Sequence, residues 1–118
     1  MASAEYNFTI EQGTTFTVTL QWEDSLGVPV NLSDYTARLQ ARKSFSAQEV
    51  LIDATTENGI IALVPDMGEL TITLPATITS GFNWVRAFYD LELTSSSGVV
   101  TRLVHGIITV SREVTRDE

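Results

Sequence analysis

The sequence contains no cysteine and a single histidine, His105. Without cysteine there is neither a disulfide framework nor a thiolate metal site. Nucleophilic catalysis of the Ser-His-Asp or Cys-His kind would depend on His105 alone, and no nucleophile elbow accompanies it. We therefore predict a non-enzymatic protein with no catalytic residue, no metal site and no cofactor, and we interpret His105 as a structural strand residue.

Basic residues and long apolar runs are also scarce. Seven Lys and Arg residues stand against fifteen Asp and Glu residues, for a net charge of −8. The clustered positive charge that nucleic-acid binding needs is missing, and we interpret Arg38, Arg42 and Lys43 as part of a solvated sheet face. No apolar run approaches the roughly 20 residues that span a bilayer, and the first residues lack the features of a signal peptide. We predict no nucleic-acid partner and no membrane association.

The dominant pattern is an alternation of polar and apolar residues with a period of two. Between Thr14 and Glu23, threonines alternate with large apolar side chains. Because successive side chains of a strand point to opposite faces, this segment is predicted to be a half-buried β-strand. A helical turn is predicted at Pro75–Ser80. Similar patterns predict further strands at Tyr6–Ile10, Tyr35–Arg42, Val50–Ile52, Ile60–Val64, Leu70–Leu74, Trp84–Thr94 and Val99–Val110.

Seven or eight short strands separated by turn residues predict an all-β fold, an immunoglobulin-like antiparallel β-sandwich. A jelly roll and a small barrel are the alternatives. We expect one domain over residues 1–118, with short polar tails at residues 1–4 and 111–118. Asn58-Gly59, within Thr56–Gly59, predicts a hairpin with a type I′ turn. The predicted inward-facing residues are Phe16, Val18, Leu20, Trp22, Tyr35, Leu39, Leu70, Ile72, Leu74, Val85, Ala87, Tyr89, Leu91 and Leu93.

The last strand carries apolar residues on both faces. We predict a bulge at Gly106 that shifts its register; without one, something must cover its outer side. Phe88 also lies opposite the inward set of its own strand. Together with a polar tail too short to fold alone, these features predict a surface for a protein partner. Its predicted residues are Phe88, Ile107, Arg112, Val114 and Arg116.

Two pairs of acidic residues lie close enough in the sequence to be candidate chemical sites. Asp90 and Glu92 share the outer face of one strand, as the carboxylate pair of a glycosidase could, but an open, solvated face lacks the enclosed environment that acid catalysis needs. Asp66 and Glu69 flank a turn without the spacing of a calcium-binding loop. We interpret both pairs as solvated surface.

Five stretches of the sequence look familiar as a set: Tyr6–Gly13, Thr55–Gly59, Gly68–Ile72, Tyr89–Leu93 and Gly106–Arg116. Together they resemble small structural proteins of tailed bacteriophages. The ending, a Tyr-Asp-Leu-Glu-Leu strand, a turn and a long strand, is similar to the N-terminal domain of phage baseplate upper proteins.

The resemblance implies a β-sandwich used as an attachment module in the virion, without catalytic residues. Baseplate upper proteins continue into a helical, receptor-facing extension; because this sequence ends at Glu118, we expect a stand-alone adaptor. It would bind tail, neck, baseplate or capsid proteins in several copies per virion, with homo-oligomerisation left open. The alternatives are a capsid decoration protein and a carbohydrate-binding module that uses Trp22, Trp84 or Phe88 as an exposed platform. A hydrolase is the least favoured.

Overall fold

A computed structural model describes residues 3–115 and shows nine strands in two sheets, with one short 3-10 helix and one short α-helix. The 3-10 helix covers Pro65–Met67, and α1 covers Ala76–Thr79. The strands are β1 (Ala4–Glu5), β2 (Phe8–Glu11), β3 (Phe16–Gln21), β4 (Thr36–Arg42), β5 (Ile52–Thr55), β6 (Ile61–Val64), β7 (Glu69–Leu74), β8 (Arg86–Thr94) and β9 (Val100–Ser111).

The larger sheet has six strands. Its order is β1-β9-β8-β4-β5, and β2 also pairs with β9. β8 lies antiparallel to both β4 and β9, whereas β1 and β2 run parallel to β9. The predicted first strand is therefore two short strands along one neighbour, and the sheet is mixed rather than wholly antiparallel.

The smaller sheet has three antiparallel strands in the order β3-β7-β6. It packs against the larger sheet through the alternating apolar residues of both. Sheet-on-sheet packing confirms the predicted β-sandwich.

The core follows the predicted parity closely. Eight of the predicted inward residues, all in β4, β7 and β8, are buried, including Leu91 and Leu70 at 0% exposure. The predicted residues from Phe16 to Tyr35 pack against the core but are only half-buried. The predicted inward position of Val85 is wrong. Val85 precedes β8 and is 52% exposed, whereas its neighbour Trp84 is buried.

The bulge lies at Leu103 and not at Gly106. Along β8 and β9 the register changes from Leu91 opposite Val104 to Glu92 opposite Arg102, so Leu103 is the extra residue. Because one inserted residue reverses the facing of all that follows, Val104 is buried while Val100 is 56% exposed. The bulge resolves the mixed parity of the last strand.

Gly106 instead makes room for the N-terminal strand. It is buried opposite Tyr89, and a Cβ atom there would overlap the carbonyl oxygen of Tyr6. Tyr89 donates its hydroxyl hydrogen to that oxygen at 2.5 Å, and the Tyr6 N–H donates to the His105 carbonyl at 2.9 Å. Asn7 Oδ1 accepts from the Ile107 N–H at 2.8 Å. These contacts hold the junction of β1 and β2 against β9.

The predicted hairpin at Thr56–Gly59 is wrong. The turn joins β5 of the larger sheet to β6 of the smaller one, so its flanking strands do not pair. A type I′ turn needs positive φ at both central residues, but only Gly59 has it, at 82°. Asn58 instead accepts hydrogen bonds through Oδ1 from the N–H groups of Thr55 and Ile60, both at 3.0 Å. These bonds turn the chain from one sheet to the other.

Candidate functional site

The outer face of the six-stranded sheet carries three rows of side chains that run across the strands. The first row is Ile107, Phe88 and Arg42; the second is Glu5, His105, Asp90 and Gln40; the third is Arg102, Glu92 and Arg38. The first of these rows is partly apolar, and the other two are polar and charged. Two further rows, Arg86–Thr109 and Thr36–Thr94–Val100, flank these three. We call the whole surface the outer face.

A depression of about 480 Å³ lies in the outer face. Its apolar end holds Phe88 and Ile107, which are register partners on β8 and β9. Phe45 stands beside Phe88, with ring centroids 4.8 Å apart and planes tilted by 47°. Phe45 is 87% exposed and Phe88 is 37% exposed. We call Phe45, Phe88 and Ile107 the apolar patch.

Arg42 positions the loop that carries Phe45. Its Nη1 donates to the carbonyl oxygens of Ala47 and Gln48 at 2.8 and 2.9 Å, and its Nη2 donates to Gln40 Oε1 at 3.1 Å. The backbone of the loop is thus tied to the end of β4. The guanidinium group serves the fold here, as expected for a residue of a sheet face, while its charge remains beside the patch.

The charged part of the outer face is largely paired. Asp90 Oδ2 lies 3.5 Å from Arg102 Nε, and Arg38 Nε lies 3.0 Å from Asp53 Oδ1. The hydrogen bond from Arg38 holds the pKa of the Asp53 carboxyl below its usual range. Ser3 Oγ lies 2.6 Å from His105 Nδ1. Of these side chains, Asp90, Arg102 and His105 line the depression.

The structure brings together only two of the five predicted partner residues. Phe88 and Ile107 are neighbours in the apolar patch. Arg112 and Val114 follow β9 and are exposed, Val114 at 90%, but neither lines the depression. Arg116 lies outside the described residues. The segment after β9 is tied down at Glu113, whose N–H donates to Gln12 Oε1 at 2.8 Å.

Sequence reasoning missed Phe45. Residues 44–48 read as a polar loop, and a single phenylalanine in such a loop carries no periodicity. The available signal was its position three residues after Arg42, at the end of a strand next to the one bearing Phe88.

Neither tryptophan forms an exposed platform. Trp84 is buried against Phe82, with ring centroids 5.0 Å apart. Trp22 is half-buried and meets Tyr35 edge to face at 5.8 Å. Phe88 is exposed, but its tilt against Phe45 does not make a flat surface. The geometry gives little support to sugar stacking.

Acidic residues do not gather into a metal site in the described part of the chain, where no group of three or more His, Asp or Glu side chains is suitably placed. No helix within residues 3–115 has the length and apolarity to cross a membrane.

Comparison with known proteins bears on the fold. No protein-family model and no curated protein matches the sequence. Among solved structures, the chain is similar to the crystal structure of a chicken TCR (T-cell receptor), with a TM-score of 0.56 and 12% identity. The match covers 98% of this chain and 56% of that one, so this chain spans about half the receptor chain's length. At that identity the likeness shows the fold alone: the protein is an immunoglobulin-like β-sandwich.

Proposed function

We propose that this protein is a non-enzymatic structural protein of a tailed-bacteriophage virion, an adaptor that binds other virion proteins through its outer face. The observation that carries the proposal is the apolar patch. Phe45, Phe88 and Ile107 come from a loop and two strands and meet on an otherwise polar surface. The sequence resemblance to phage attachment modules supports the virion as the setting.

The patch has the composition of a protein-binding centre. Aromatic side chains dominate binding energy when a partner excludes water from them, and a polar rim surrounds such centres. Here the rim is the Asp90–Arg102 pair and Glu92 on one side and Arg42 on the other. A partner would bury Phe45 and Phe88 and leave the charged rows at the border.

Replacing Phe88 by Asp tests the proposal. Phe88 is already partly exposed, so Phe88→Asp should change the melting temperature little, while it places a charge inside the patch. Leu26→Asp is the matched control, because Leu26 is 85% exposed in the turn before β4 and does not line the depression.

The measurement is immunogold electron microscopy of virions from host cells that supply each variant in place of the wild type. We expect labelled particles with wild type and Leu26→Asp and unlabelled particles with Phe88→Asp. Virions that never carry the protein would refute the virion role. Equal incorporation of both variants would refute the outer face as the contact surface.

A further inference from the structure

The four edges of the two sheets differ in how well they are protected. β5 has four residues, and its Asp53 is paired with Arg38. β6 also has four residues and runs directly into Pro65 of the 3-10 helix. The edge made by β1 and β2 is interrupted at Tyr6 and Asn7. Short length, charge, proline and interruption are the devices by which natural proteins protect sheet edges from pairing.

β3 has none of these protections. It is six residues long, Phe-Thr-Val-Thr-Leu-Gln, without charge, proline or glycine. Within the described residues it pairs with β7 on one side only. Phe16, Val18 and Leu20 are only half-buried, although they face the core. A strand added beside β3 would bury more of their surface.

The ladder shows which backbone groups are free. The Thr73 N–H donates to the carbonyl oxygen of Ile60, next to β6, at 3.0 Å. Thr73 and Thr71, two residues apart on β7, therefore direct their backbone groups toward β6. In an antiparallel ladder alternate residues bond to opposite sides. β7 therefore bonds to β3 through the residues between these threonines, which pair with Phe16, Val18 and Leu20. The N–H and C=O groups of Thr17 and Thr19 consequently point to the open edge.

An immunoglobulin-type sandwich places a fourth strand here. The constant-type arrangement is A-B-E-D in one sheet and C-F-G in the other. By chain order β3, β7 and β6 correspond to B, E and D, and β4, β8 and β9 to C, F and G. The N-terminal segment that would be strand A lies in the other sheet, parallel to β9. Among residues 3–115, no strand occupies the position beside β3.

We propose that this position is filled by β3 of a second copy of this chain, running antiparallel about a two-fold axis at Val18. In that register Thr17 faces Thr19 of the second copy, and Phe16 faces its Leu20. Every threonine then meets a threonine and every apolar residue an apolar one, in phase on both faces of a continuous six-stranded sheet. The absence of charge on β3 matters because each copy carries a net charge of −8. Such a two-fold contact closes at the dimer.

Sedimentation of the purified full chain tests the pairing. We expect a dimer that dissociates on dilution. Thr17→Pro removes an N–H that the monomer does not use, and edge strands tolerate proline where the N–H faces outward. It should abolish the dimer, whereas Thr17→Val, which keeps the N–H, should retain it. A wild type that is monomeric at every concentration, or a folded Thr17→Pro variant that dimerises like wild type, would overturn the proposal.

Disulfide trapping provides a second measurement that needs no proline. The chain has no cysteine, so an introduced one reports only its own contacts. A residue on the two-fold axis faces itself in a non-hydrogen-bonded pair with Cα atoms about 4.5 Å apart, within disulfide range. Under mild oxidation Val18→Cys should give a covalent dimer in high yield, and Ala62→Cys on the opposite edge should give little. Equal yields, or none from Val18→Cys, would contradict the register.

Dimerisation and the proposed virion role are separable. Phe88 lies in the other sheet, so Phe88→Asp should leave sedimentation unchanged. Loss of the dimer in that variant would show that copies associate through the outer face and not through β3.

Discussion

The two sheets of this sandwich differ in what they leave open. The six-stranded sheet closes its edges with short or interrupted strands and presents a patterned face of charges and aromatic rings. The three-stranded sheet presents an outer face of threonines, including Thr19 and Thr71 joined at 3.1 Å, and a bare edge at β3. One sheet therefore exposes a patterned set of side chains, and the other exposes backbone hydrogen-bonding groups. Side chains favour a particular partner, whereas a backbone edge accepts any strand of suitable pattern.

The largest expected effect is a difference in stability loss. A leucine truncated at the centre of the larger sheet should cost more than one truncated at the open edge of the smaller sheet. Leu91 is 0% exposed in β8, whereas Leu20 in β3 is half-buried. Leu91→Ala should cost about 2–5 kcal/mol, the range for a fully buried leucine. Leu20→Ala should cost clearly less in the monomer, because part of its surface already contacts water. Equal shifts in the urea midpoint would mean that β3 is as well covered as β8.

The next prediction concerns the edge of the larger sheet that β1 and β2 form, which a substitution at Gly106 should loosen. At Gly106 an alanine Cβ would overlap the Tyr6 carbonyl oxygen and lie 2.9 Å from its carbon, and backbone cannot move aside as a side chain can. Gly106→Ala should cost about 1–3 kcal/mol, as overpacking does, and should speed amide hydrogen exchange in β1 and β2.

Gly81→Ala is the control for that substitution. The nearest atom to its new Cβ would be the Ile78 carbonyl oxygen at 3.5 Å, an ordinary contact. Normal exchange in β1 and β2 of Gly106→Ala would show that the N-terminal strands do not depend on this close approach.

A smaller loss of stability is expected from removing one hydrogen bond at the same edge, between the Tyr89 hydroxyl and the Tyr6 carbonyl. Tyr89→Phe removes the donor to the Tyr6 carbonyl and should cost about 1 kcal/mol. Tyr35→Phe, the same change at a half-buried site beside Trp22, should cost less.

The Tyr89 hydroxyl also predicts alkaline sensitivity. Burial raises the pKa of this phenol above its ordinary 10.0, and the nearby Tyr6 adds to the shift. The folded group stays protonated where the unfolded one ionises, so its stabilising contribution is complete below pH 10 and is lost as the pH rises above it. Above pH 10 the free energy of unfolding, measured by urea denaturation at a series of pH values, should fall less steeply with pH for Tyr89→Phe than for wild type. Identical slopes would contradict this assignment.

Much of the fold could be predicted from local pattern. The alternation in β3, β4, β7 and β8 correctly gave their inward faces, because side-chain facing along a strand depends only on parity. The outward position of Phe88 followed from the same rule. Ile107 lies beside Phe88 because the antiparallel register of β8 and β9 places the two residues opposite each other.

Pairing between distant strands is where local pattern failed. Asn58-Gly59 resembles a hairpin turn, yet the strands on either side of it belong to different sheets. Glycine is frequent in β-bulges, which is why a bulge is predicted at Gly106. In the structure the missing side chain instead leaves room for the backbone of Tyr6. The bulge at Leu103 has no local signature.

Local chemistry by itself established an all-β chain of alternating strands, because side-chain facing and turn propensity are properties of short segments. Only the tertiary structure decided which strands share a sheet, which edge stays open and that Phe45 stands beside Phe88. Those outcomes depend on contacts between segments far apart in sequence. They are selected by the burial of the whole core, which no single segment encodes.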